Sequence, residues 1–175
     1  YKRMAGVCRH KSFMTFLFAM GIFSLPFMAY LAVSSYIFIE GFGIAGTTYS
    51  YMLAVNAILG TLGMLLLQRL TKGGSNKSMG VVVIILSLVS SFVMLSVGDL
   101  NPAVCFIGMT FCVVAAFAAR PYALAILMNQ FDGDTGSVSS VFNFTLVFIG
   151  CLGMAAGTLP WPTYIIGLGV CSLFA

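Results

Sequence analysis

Charge is what this 175-residue chain has least of. Eight Lys or Arg and four Asp or Glu make up 7% of it, against about 25% in soluble domains. A water-soluble fold of this length needs more polar surface than that. Histidine is almost missing as well, with His10 alone. The five cysteines, Cys8, Cys105, Cys112, Cys151 and Cys171, form no C-x-x-C pair. Soft ligands never cluster at metal-binding spacing, so the cysteines read as small apolar packing residues and no metal is expected. No nucleotide-binding loop, catalytic triad or paired-carboxylate site occurs, so the chain is expected to be no enzyme and to hold no cofactor. Alternation is absent too: barrel strands alternate apolar and polar residues, whereas GVVVIILSLV, residues 80–89, is apolar at nearly every position.

What is present is hydrocarbon. Apolar residues are 61% of the chain, and the mean hydropathy is +1.09. Runs of about 20 apolar residues cross a bilayer. Ser12–Ile39, Gly41–Leu67, Ser78–Gly98, Pro102–Ala119 and Thr135–Ala175 all lack Asp, Glu, Lys and Arg. The first is too long for a signal peptide and is followed by further spans. An all-α, polytopic transmembrane helical bundle is expected, with helices over 12–38, 46–68, 78–97, 102–129, 136–158 and 162–175. The breaks between them, EGFGIAGTT, TKGGSNKS, GDLNP, DGDTGS and LPWPT, carry turn residues and are short, so consecutive helices run antiparallel.

Alternating spans put the N-terminal end, TKGGSNKS and DGDTGS on one side. That side holds Lys2, Arg3, Arg9, Lys11, Arg69, Lys72 and Lys77, and the opposite loops hold no Lys or Arg. The positive-inside rule makes it cytoplasmic. The net charge of +4 therefore reports topology and gives no reason to expect a nucleic-acid partner. The chain opens within a basic connection and stops about 14 residues into a span that needs roughly 20, so it is expected to be part of a longer protein.

Three stretches carry a resemblance: SSYIFIEGFGIAGTTYSYMLAVNAILGTLGMLL, QRLTKGGSNKSMGVVVIIL and RPYALAILMNQFDGDTGSVSSV. The first contains YIFIE-GFG followed by AVNA, and the third sets Pro121 before the Gly136–Ser137 pair. Together the chain resembles the C-terminal half of a major facilitator superfamily transporter, and most of all a drug:proton antiporter of the bicyclomycin- and chloramphenicol-resistance type. The resemblance implies that residues 1–175 are the six-helix half of a twelve-helix carrier. It implies a multi-pass protein of the bacterial inner membrane, inactive without the N-terminal half. The whole carrier would export small amphipathic drug-like molecules in exchange for protons. A sugar or metabolite facilitator is the alternative within the class. The rival from another class is a non-transporting membrane scaffold, which would need neither Arg120 nor Asn56.

Polar residues inside spans are the candidate site. An ionisable residue there is a functional hypothesis by default, and Arg120, beside Pro121, is the one clear case. It lies roughly 27 Å along its helix, close enough to one face for its guanidinium to snorkel to the headgroups. The other reading turns it into a cavity at a proline kink. In the first helix Phe23, Phe27, Tyr30 and Ser34 recur at helical spacing around Pro26. That face suits either a pocket with apolar lining and few polar groups or packing on a neighbour. Asn56 shares a face with Gly60 and Gly63, and Asn143 with Gly150, Gly153 and Gly157. Small residues let helices approach, and an Asn can bond across the contact; Asn56 is in addition a candidate for the substrate cavity. No acid lies deep in a span, so proton coupling is expected to reside in the N-terminal half.

Overall fold

The computed structural model describes residues 11–71, 76–97, 101–129, 135–159 and 163–173. Among them there is no strand. Five helical spans are long and apolar enough to cross a membrane, and a sixth, shorter apolar helix follows. The chain is a multi-pass, all-α membrane protein.

The first span, Phe13–Gly41, is made of α1 (Lys11–Ile22), α2 (Ser24–Ser35) and a π-helical turn (Tyr36–Gly41). The expected helix over 12–38 lies within this one span, and its hydrogen bonding is interrupted at Phe23, itself in helical conformation. Pro26 has no N–H for the carbonyl four residues before it, and that carbonyl belongs to Ile22, the last residue of α1. The span also runs past residue 38. Its end winds into π geometry, with the Phe42 N–H on the Ile37 carbonyl at 3.0 Å, and the Ile44 N–H then reaches six residues back to the Phe38 carbonyl at 3.0 Å. Gly43 then turns the chain with φ +67°, a conformation open to glycine at little cost.

The remaining helices are α3 (Gly46–Leu70), α4 (Asn76–Val97), α5 (Pro102–Asn129), α6 (Thr135–Gly157) and α7 (Tyr164–Leu173). Their ends follow local chemistry. Asn101 caps α5 by accepting the Ala103 N–H at 2.9 Å, and Pro102 takes the first helical position, where a missing N–H is harmless. Thr71 closes α3 through its N–H and its hydroxyl, both on the Leu67 carbonyl, at 3.0 and 2.7 Å.

Small and hydroxylated residues mark the helix contacts, as expected where water supplies no drive for helices to associate. The α2–α6 seam is the tightest. A Cβ on Gly153 would run into the backbone of Leu25, and one on Gly157 would lie 3.1 Å from Ala29 Cβ. Ser24 donates across this seam to the Leu146 carbonyl at 3.2 Å. Between α4 and α7, Ser87 and Ser172 each donate to the other's carbonyl, at 3.3 and 3.2 Å. Between α4 and α5, Ser90 donates to the Gly108 carbonyl at 2.8 Å.

Candidate functional site

The polar face of α2 turns toward α3 and α5. Tyr30 is buried, and its phenol oxygen accepts the Asn56 Nδ2–H at 3.0 Å. One turn further on, Ser34 and Tyr49 share a hydroxyl–hydroxyl bond of 2.7 Å. Asn56 is 1% exposed, and its Oδ1 has no hydrogen-bond partner among the described residues. A carboxamide has an acceptor on one arm and donors on the other. Bonded to one phenol, it keeps a polar arm open whichever way it is turned. Leaving such a group unpaired in an apolar interior costs about 1–3 kcal/mol.

That amide stands at the wall of a cavity of about 130 Å³, lined also by Phe27, Tyr30, Leu53, Val113 and Phe117. Phe27 and Phe117 meet edge to face, with centroids 5.5 Å apart. The Arg120 guanidinium lies over the other side of this group, 5.5 Å from the centre of the Phe27 ring. The half-buried guanidinium is therefore held against α2, as a cation on a ring face. Arg120 has no carboxylate partner among the described residues. A void of about 10 Å³ adjoins it, with Phe23, Ser24 and Phe142 in its walls.

The structure thus joins Phe27, Tyr30 and Asn56 around one cavity and sets Phe23 and Arg120 at its neighbour. Ser34 lies beyond them, bonded to Tyr49. Gly60 is buried against α5, where an added Cβ would lie 2.7 Å from Val113 Cγ1, and Gly63 similarly faces Val114 at 2.7 Å. Gly150, Gly153 and Gly157 face α2. Asn143 departs from the expected grouping. It is exposed and donates to the Ser139 carbonyl of its own helix at 2.9 Å. The reason is drift: seven residues leave a side chain about 20° short of a full register, and Asn143 falls just past the edge of the stripe that ends at Gly150.

Phe117 and Tyr49 belong to the site and were not among the expected residues. Both were within reach of helical spacing. Phe117 stands three residues before Arg120 and Tyr49 seven before Asn56, so each shares a face with a residue already singled out. Among the described residues no group of His, Cys, Asp and Glu could hold a metal ion. Comparison with family models, curated proteins and solved structures finds no match.

Proposed function

We propose that this chain is the six-helix, C-terminal half of a twelve-helix major facilitator transporter. The whole carrier exports small amphipathic drug-like molecules in exchange for protons across a bacterial inner membrane. The observation that carries the reading is the mid-span seam: a buried carboxamide with an open polar arm and a guanidinium without a carboxylate flank two aromatic rings around a cavity. Purely structural spans do not need either group. An apolar wall with a few orienting polar groups is the usual make-up of a small-molecule site, and transporters of this architecture bind near the midplane between repeats. The resemblance of the three quoted stretches supports the family. Proton coupling falls to the N-terminal half, because a coupling site needs a carboxylate deep in a span and Glu40 stands at a helix end.

In inverted vesicles energised with a pH gradient, the full-length carrier should release protons when drug is added, and the six-helix segment alone should not. Drug without effect on the gradient in the full-length carrier contradicts antiport. The basic end is cytoplasmic in this reading. On a background without native cysteines, an impermeant thiol reagent should label Thr47→Cys from outside the cell and spare Ser75→Cys. The reverse pattern overturns the orientation.

A further inference from the structure

A larger cavity, about 420 Å³, lies away from the mid-span seam, where the π-helical turn leaves α2 and α7 begins. Tyr36, Glu40, Phe42, Thr163, Tyr164 and Ile165 are in its walls. The π turn has a direct part in this. Tyr36 and Glu40 are its first and fifth residues, so they emerge on one side of it, and the turn places Tyr36 opposite the first residue of α7. The Tyr36 and Tyr164 rings sit 6.0 Å apart, tilted by 34°, and both belong to the cavity wall. Both keep open faces, at 47% and 40% exposure. Such turns recur at functional sites.

The charge at this end has one sign. Glu40 is exposed and makes no ion pair among the described residues. Among the described residues that line the cavity, Glu40 is the only charged one. The described residues Lys11 and Arg69 stand at the far ends of the first span and of α3. Among these lining residues an anion would find no cation to hold it. A polyhydroxylated ligand would find neither carboxamide nor guanidinium to read its hydroxyls. Two open aromatic faces beside an unpaired carboxylate are instead the elements that hold an alkylammonium, and about 420 Å³ fits a drug-sized molecule.

We propose that this cavity binds a monovalent organic cation, a tertiary or quaternary ammonium with an aromatic or branched apolar body. The ammonium rests on the Tyr36–Tyr164 surface beside Glu40, and the body lies on Phe42 and Ile165. The site is distinct from the mid-span seam and does not depend on the transport reading, since binding alone is claimed.

Equilibrium binding of benzyltrimethylammonium to the full chain in a neutral polyoxyethylene detergent tests it, with neopentylbenzene as the uncharged carbon isostere. The cation should bind about tenfold more tightly than the isostere. Its affinity should fall with added salt, because Glu40 is exposed. Glu40→Gln should weaken the cation about fivefold and leave the isostere unchanged. Tyr36→Leu and Tyr164→Leu should each weaken it about threefold, whereas Tyr36→Phe keeps the π face and the affinity. Helical circular dichroism identifies the variants that fold. Equal affinity for cation and isostere would reduce the cavity to an apolar crevice and overturn the proposal. So would an unaffected Glu40→Gln, or no measurable binding of the cation.

Discussion

The helices α3 and α5 make an instructive pair. Both are long and apolar, with mean hydropathies of 1.8 and 2.2, and they lie against each other. Yet half of an 18-residue apolar stretch of α5 is buried inside the chain, and only 11% of the corresponding stretch of α3. The fully buried residues of α3 are two, Asn56 and Gly60. Its leucines and isoleucines, among them Ile58, Leu62, Leu65 and Leu66, face outward. In α5 the buried set is Cys105, Met109, Cys112, Val113, Leu127 and a row of alanines. Hydropathy therefore tells which segments enter a bilayer but not which side meets protein, because lipid is as apolar as a core. On α3 the polar and small residues mark the contact.

If that distinction is right, matched substitutions on the two helices should give very different stabilities. Met109 of α5 is wholly buried, so Met109→Ala should cost about 2–5 kcal/mol through lost packing and a cavity, read by thermal or denaturant unfolding in detergent. Gly60→Val comes next, at about 1–3 kcal/mol. Its Cβ would lie 2.7 Å from Val113 Cγ1 and 3.3 Å from the Phe117 ring, forcing α3 away from α5. Asn56→Leu should change stability by less than about 1 kcal/mol, because interhelical hydrogen bonds in membranes average about 0.6 kcal/mol and the variant also removes an unpaired polar arm. On the proposed transport function, drug efflux should nonetheless fall severalfold. Leu62→Ala, on the outward face of α3, should be the mildest, within about 0.5 kcal/mol. A Leu62→Ala cost equal to that of Met109→Ala would erase the contrast between the helices.

Much of the fold was legible because turn residues punctuate the apolar runs. The expected 102–129 coincides with α5, and the expected 46–68, 78–97 and 136–158 lie within two residues of α3, α4 and α6 at each end. For the last helix, expected over 162–175, the described residues give α7 from Tyr164 to Leu173. The π turn was not legible, since nothing in YIFIEG distinguishes an α from a π hydrogen-bond pattern. The interruption at Phe23 follows from Pro26, which leaves the carbonyl four residues earlier without its helical donor. The side taken by Asn143 was lost because two edges of one stripe are separated by only about 20°. For the site, the α2 face and Asn56 were readable from spacing. That they share a cavity with Phe117, and that Arg120 lies on Phe27, depends on how α2, α3 and α5 cross.

The seam's claim to function rests most on Arg120, whose half-buried guanidinium rests on Phe27. The direct measurement is drug efflux by the full-length carrier at matched expression, comparing Arg120→Ala with Arg120→Lys, with membrane insertion checked in both. A guanidinium that contacts substrate or gates the cavity predicts a larger loss for alanine than for lysine, which keeps the charge without the planar fork. Wild-type efflux by the alanine variant would contradict the account and return Arg120 to a headgroup contact.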